Sequence, residues 1–91
     1  MEEYVGTITQ VSFRPMVEFI PSELDICVNV PELGHEIWFT ETGSIETLSK
    51  KFDFSVINDR EGAVYRVFDI VDRKCIIRRY NGIAKFAKYL P

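Results

Sequence analysis

Apolar and polar residues alternate along much of the first half of the chain, which is the pattern of half-buried β-strands. Residues 24–30, LDICVNV, show it most clearly, because the four aliphatic residues at even positions share one face. Residues 3–13, EYVGTITQVSF, and residues 36–42, EIWFTET, are predicted strands as well. The turn residues of PELGHE join 24–30 to 36–42 as a hairpin. Residues 16–20, MVEFI, lie between two prolines and predict a short edge strand, since proline cannot donate to a ladder.

The pattern changes at residues 44–52, SIETLSKKF, where the apolar residues recur at spacings of three and four. This spacing places Ile45, Leu48 and Phe52 on one face of a short helix. Ser44 is suited to cap its N-terminus, and Glu46 lies in the first turn, where the helix dipole favours a negative charge. The sequence therefore predicts a helix over 44–52.

The second half predicts three strands and a closing helix. Residues 54–57 begin a new β region, and the polar turn after them leads into a long predicted strand over 63–71, AVYRVFDIV. A turn around Asp72 then leads into the strand 75–80, CIIRRY. Residues 83–90, IAKFAKYL, predict an amphipathic helical segment whose apolar stripe contains Ile83, Phe86, Ala87 and Leu90.

These elements predict the fold class α+β, mainly antiparallel β. Short connections favour antiparallel pairing, because parallel strands need long crossovers. We expect a strongly curved sheet or small barrel of about six strands, with two short helices at 44–52 and 83–90. Ninety-one residues are enough for a single domain over 1–91, with a modest core.

Charge is divided unevenly along the chain. Residues 1–59 contain 11 acidic and three basic residues, a net charge of −8, whereas residues 60–91 contain eight basic and three acidic residues, a net charge of +5. The basic residues concentrate in VDRKCIIRRYNG, residues 71–82. Such segregation either orients an approaching partner or is cancelled when strand pairing interleaves the two sets of charges.

Composition limits the cellular setting. The sequence has no apolar run of transmembrane length, and its first residues, MEEYVGTITQ, do not form a signal peptide, so we expect a cytoplasmic protein with no membrane partner. Cys27 and Cys75 both lie in apolar strand segments and are predicted to be buried free thiols.

No motif predicts a catalytic, cofactor or metal site. The only histidine, His35, sits in a turn between two glutamates, and a metal site needs more strong ligands at defined spacing. No phosphate-binding glycine loop or nucleophile motif is present. We therefore predict no cofactor, no metal and no enzymatic activity. A small metal-free ribonuclease using Arg78, Arg79, Tyr80 and a lysine is the remaining catalytic hypothesis.

The favoured hypothesis is a small protein-binding module that acts as an inhibitor, adaptor or regulatory subunit by occupying a partner protein's surface. Arginine, tyrosine and tryptophan dominate the energetics of such interfaces. If Ile37 and Phe39 face inward, Trp38 faces outward as an anchor, unless a helix or loop covers it. The predicted protein-binding residues are Trp38, Arg73, Lys74, Arg78, Arg79 and Tyr80.

Two other partners fit the same residues. Bases and aromatics in the C-terminal strands suit single-stranded nucleic acid bound by a small β-barrel. The acidic pI of about 5.1 argues against it, and so does strand alternation, which points Arg78 and Arg79 to opposite faces. Free strand edges and segregated charge also predict a homodimer as an alternative.

Overall fold

The computed structural model describes residues 1–16 and 18–91. Strands dominate, with one α-helix and one short 3-10 helix. The elements in chain order are β1 (Glu2–Arg14), β2 (Ser22–Val30), β3 (His35–Gly43), α1 (Ile45–Phe52), β4 (Val56–Asp59), β5 (Gly62–Tyr65), the 3-10 helix (Val67–Ile70), β6 (Lys74–Tyr80) and β7 (Ile83–Tyr89).

Five strands form one antiparallel sheet in the order β3-β2-β1-β6-β7, and β4 and β5 form a separate hairpin. The central strand β1 is shared: residues 2–7 pair with β6, and residues 7–14 pair with β2. A register shift between Ile8 and Gln10 marks an irregularity in the second half of that strand. The sheet is therefore strongly curled into a half-barrel, which confirms the mainly antiparallel, curved architecture.

The curl brings the two edge strands together. Each pairing is antiparallel, so β3 and β7 both run in the direction of β1 and are parallel to each other. Their Cα atoms approach within 8 Å, yet no ladder joins them. An open seam between β3 and β7 therefore separates the half-barrel from a closed barrel.

Gly6 allows the sheet to fold back on itself. A Cβ atom at this position would lie 2.4 Å from Val28 Cγ1 and 2.9 Å from the carbonyl oxygen of Asn29. Carbon atoms in contact normally stay 3.5–4.0 Å apart. Only glycine lets β1 pass this close to the end of β2.

The concave side of the sheet holds the core. The aliphatic face of β2 predicted from residues 24–30 is fully buried, together with Ile8 of β1 and Ile77 of β6. Helix α1 covers one end of this core through Leu48 and Phe52, and the Phe52 ring packs on Phe86 with centroids 4.8 Å apart.

The helix begins where the sequence predicts. Ser44 is its N-cap, and its Oγ accepts a hydrogen bond from the Thr47 N–H at 3.1 Å. Asp53 ends the helix in a left-handed conformation with φ of 59°. Lys51 extends from the last turn to Glu41 of β3, 2.8 Å away, which ties the helix to the sheet edge.

The predicted helix over 83–90 is wrong, because these residues form strand β7. Asn81 and Gly82 both have positive φ, of 51° and 79°, and make a two-residue turn that pairs Tyr80 with Ile83. An Asn-Gly pair between apolar segments is a strong hairpin signal. Pairing with β6 therefore overrides the helical spacing of the apolar residues.

The predicted strand over 63–71 is also wrong in its second half. Strand β5 ends at Tyr65, and Val67–Ile70 form the 3-10 helix. Val67 and Ile70 are both buried, since a spacing of three residues places them on one side of such a helix.

The predicted edge strand over 16–20 does not form among its described residues. Glu18 has a φ of 49° and lies in a turn, and Ile20 makes only an isolated bridge. Val17, which also belongs to that prediction, lies outside the described residues.

Both thiols are free and buried, as the sequence predicts. Cys75 faces the core, and burial raises its pKa to about 11. Cys27 points to the opposite face of the sheet, where burial raises its pKa and the Glu36 carboxylate, 3.1 Å from Sγ, raises it further.

No helix within residues 1–16 and 18–91 is both long and apolar enough to cross a bilayer.

Candidate functional site

The convex side of β1, β6 and β7 carries the strongest concentration of exposed cationic and apolar side chains. Strand alternation and register place one set of side chains outward in adjacent rows. We call this surface the basic face. Its members are Met1, Glu3, Val5, Lys74, Ile76, Arg78, Tyr80, Ile83, Lys85 and Lys88.

The rows of the basic face alternate in character. Tyr80 and Ile83 form an apolar row, and Met1 extends it from the end of β1. These three side chains are 65%, 62% and 80% exposed. The next row is charged, with Arg78 between Glu3 and Lys85. Large apolar side chains left in solvent beside cations are typical of a surface that binds a partner.

The basic face carries excess positive charge. Arg78 Nε lies 2.6 Å from Glu3 Oε2, so one cation is paired. Among residues 1–16 and 18–91, no carboxylate lies within 4.0 Å of the amino groups of Lys74, Lys85 and Lys88. Three free ammonium groups on one face give it a positive potential, which attracts negatively charged groups.

A groove of about 400 Å³ crosses the apolar row. Its lining is mostly apolar, and Arg78 and Lys85 add cationic groups to it. The residues that line it are Met1, Arg78, Tyr80, Ile83, Lys85 and Phe86.

Trp38 lies across the seam from this groove. It points outward from β3 and is 53% exposed, whereas its neighbour Phe39 is buried in the core. A cleft of about 480 Å³ fills the seam between residues 38–42 and 82–85. Because the groove and the cleft share Ile83 and Lys85, Trp38 and the basic face form one continuous surface.

The structure brings together four of the six predicted binding residues. Lys74, Arg78 and Tyr80 lie on the basic face, and Trp38 borders it across the seam.

Arg73 and Arg79 lie elsewhere. The Arg73 guanidinium is 3.0 Å from Asp53 Oδ2 and 3.5 Å above the ring of Tyr89, contacts that hold the turn before β6. Arg79 is half-buried on the opposite side of β6 from Arg78, as strand alternation predicts.

The sequence alone predicts only three members of the basic face, Lys74, Arg78 and Tyr80, as binding residues. The helical spacing of 83–90 hides Ile83, Lys85 and Lys88, and the signal that places them on a strand is their position after the hairpin turn Asn81-Gly82. Val5 shares the outer face because β1 pairs with β6, a non-local contact that composition does not reveal.

The neighbouring outer face of β2 and β3 is acidic. Glu23, Asp25 and Glu36 point outward there, and Arg14 pairs with the first two. The uneven charge of the sequence is therefore also found in the fold, as an acidic face beside the basic face. Glu3 lies on the basic face and Arg14 on the acidic face, so the two kinds of charge mix locally.

A metal site requires several ligating side chains close together. Among the described residues, no three His, Cys, Asp or Glu side chains are placed to hold a metal ion. The His35 Nδ1 atom lies 3.0 Å from the carbonyl oxygen of Glu36 and is exposed. Asp59 caps the β4–β5 turn by accepting a hydrogen bond from the Glu61 N–H, as its turn position predicts.

Comparison of the chain with protein-family models, curated proteins and solved structures returned no match.

Proposed function

We propose that this protein is a non-enzymatic protein-binding module and that it docks on an acidic surface of its partner through the basic face and Trp38. The observation that carries the proposal is the exposed apolar row of Met1, Tyr80 and Ile83 flanked by Arg78 and Lys85. Apolar area supplies binding energy, and the cations select and steer an acidic partner. Occupying a partner's surface in this way suits an inhibitor, adaptor or regulatory subunit.

A protein partner fits the basic face better than nucleic acid. Met1, Val5 and Ile83 are aliphatic and exposed, and such side chains bury well against another protein but neither stack on bases nor neutralise phosphates. Among residues 1–16 and 18–91, Tyr80 and, across the seam, Trp38 are the exposed rings available for stacking on this side of the molecule.

The strand order supports single-stranded nucleic acid as a second candidate. Apart from the β4–β5 hairpin, a curled five-stranded sheet with a helix after its third strand has the layout of an OB barrel. OB barrels bind oligonucleotides on the face of strands 2 and 3. This is an analogy of topology alone. In this chain that face carries Glu23, Asp25 and Glu36, which repel phosphate, so an oligonucleotide would have to use the basic face instead.

Paired charge reversals test the proposal. The double variant R78E/K85E inverts the charge beside the groove, and K50E/R60E makes the same change in net charge on helix α1 and in the β4–β5 turn. Each protein is used to capture partners from a native lysate, and the binding of each captured protein is then measured directly by calorimetry. We expect R78E/K85E to weaken binding at least about tenfold, or 1.4 kcal/mol, and K50E/R60E to change it less than about twofold.

Equal capture by R78E/K85E and the wild type would show that the basic face is not the interface. In a parallel measurement, fluorescent single-stranded DNA and RNA are titrated at about 50 mM salt. Binding that R78E/K85E abolishes and that falls steeply with salt would favour the nucleic-acid candidate over the protein partner.

A further inference from the structure

Trp38 has the features of an interface anchor. It is the only tryptophan in the chain, it lies on edge strand β3, and its ring is more than half exposed. Glu36 stands two residues earlier on the same face, so a carboxylate accompanies the indole. An aromatic side chain buries about 150–250 Å² when it is enclosed, and the exposed half of Trp38 is area that a partner can still bury.

The groove on the basic face matches such an anchor. Its volume of about 400 Å³ accommodates a large side chain, and its walls are apolar. Arg78 and Lys85 of the lining are cations that can stack on an indole and attract a neighbouring carboxylate. The chemistry that the groove recognises is therefore an aromatic residue beside an acidic one, as in the segment Glu36–Trp38.

The position of Trp38 relative to the groove decides how two copies would meet. Trp38 and the groove lie on opposite sides of the same seam, since the cleft that Trp38 lines and the groove share Ile83 and Lys85. When an anchor and its receptor are adjacent on one surface, a two-fold axis between them lets each copy give its anchor and receive the other's. Such an interface is closed and does not propagate into a fibre.

We propose that a second copy of this chain occupies the groove, with Trp38 of each copy filling the groove of the other in a two-fold dimer. The inference rests on the proposed function, since it requires the basic face to be a protein-binding surface, and it names the partner. The acidic Glu36 of one copy lies against Arg78 and Lys85 of the other, which gives the dimer charge complementarity.

The single tryptophan reports directly on this contact. Wild-type protein is diluted from about 300 µM to 0.3 µM while sedimentation velocity gives its mass and fluorescence gives the Trp38 emission maximum. We expect a mass twice that of the chain at high concentration, and a red shift of emission as dilution releases the indole to water. W38A and I83E should each weaken association at least tenfold, whereas F68A, which removes an exposed ring outside this surface, should change it less than twofold.

A mixing experiment tests the exchange of anchors. W38A keeps an intact groove but has no tryptophan, and I83E keeps Trp38 but places a carboxylate in its own groove. Adding the non-fluorescent W38A to I83E should shift the Trp38 emission to the blue, because one intact half-site forms. Wild type that stays monomeric at about 300 µM, undiminished association of W38A, or an unchanged emission on mixing would each overturn the dimer. If the dimer fails while R78E/K85E still loses a captured partner, the proposed function stands and only the identity of the partner is wrong.

Discussion

The close approach of β1 to β2 at Gly6 provides a direct test of the fold. The substitution G6A adds one methyl group where no space exists. The new Cβ would lie 2.4 Å from Val28 Cγ1, more than 1 Å inside a normal carbon contact, and 2.9 Å from the backbone oxygen of Asn29. Val28 is fully buried, so its side chain cannot turn away without displacing other core residues.

Overpacking of this kind costs about 1–3 kcal/mol, and the clash with backbone places G6A at or above the upper end. At about 3 kcal/mol, the midpoint of thermal unfolding of a domain this size falls by roughly 12–24 °C. Urea titrations followed by Trp38 fluorescence and by far-ultraviolet circular dichroism measure the free energy of unfolding. The control is G82A, where the added methyl group meets no atom within 4 Å and only the positive φ of 79° opposes it. The free energy of unfolding of G82A should be about 1–2 kcal/mol below that of the wild type.

A double-mutant cycle separates the steric clash from other effects of the methyl group. V28A alone creates a cavity in the wild type, but in the G6A background it also removes the atom that the new methyl group strikes. We expect V28A to cost at least about 1 kcal/mol less in that background. A G6A protein as stable as G82A, with additive effects of V28A, would refute the close approach of β1 and β2.

Two further substitutions test local features of the fold. The pKa of Cys75 is raised by burial to about 11, so its contribution to stability is present below about pH 9 and is lost as pH rises from about 9 to 11. Between pH 8 and 11, the free energy of unfolding should therefore fall about 2 kcal/mol less in C75V than in the wild type. If the two proteins lost the same free energy of unfolding over this range, the prediction would be contradicted. S44A removes the cap of α1 and should cost about 1 kcal/mol in urea unfolding, whereas S44D should retain most of it; equal losses in both variants would exclude a capping role.

The local signals of the sequence predicted the sheet core and the first helix well. Alternation over residues 24–30 identified the buried face of β2, and Ser44 with its following apolar spacing identified α1. These features depend on residues close in sequence, where pleat and helix periods act directly. The opposite orientations of Arg78 and Arg79 followed from the same rule.

The wrong secondary-structure predictions concern short segments whose apolar residues fit both helical and strand spacing. Ile83, Phe86 and Leu90 fit a helical stripe, but the ladder with β6 and the packing of Phe86 on Phe52 of α1 decide the outcome. Likewise, Val67 and Ile70 continue an apolar run that predicts a strand. In the fold both side chains are buried, and they form part of a 3-10 helix instead. Tertiary contacts of this kind are not visible in a window of ten residues.

The candidate site was only partly predictable for the same reason. The cluster in 71–82 located Lys74, Arg78 and Tyr80, but Arg73 proved to hold Asp53 and Tyr89 rather than face outward. The basic face exists because β1 and β7 flank β6, which depends on long-range pairing. The remaining residues of the basic face could therefore be identified only from the fold.

The central claim is that the basic face binds a protein, and photo-cross-linking from within that face tests it most directly. A photoreactive phenylalanine analogue replaces Tyr80, which is 65% exposed, and in a matched protein it replaces Glu61 in the β4–β5 turn. After irradiation in a native lysate, the account predicts covalent adducts from position 80 that resist nuclease and are destroyed by protease, with few from position 61. If the proposed dimer forms, the main adduct has twice the mass of the chain. Nuclease-sensitive adducts, or equal yields from the two positions, would contradict the claim.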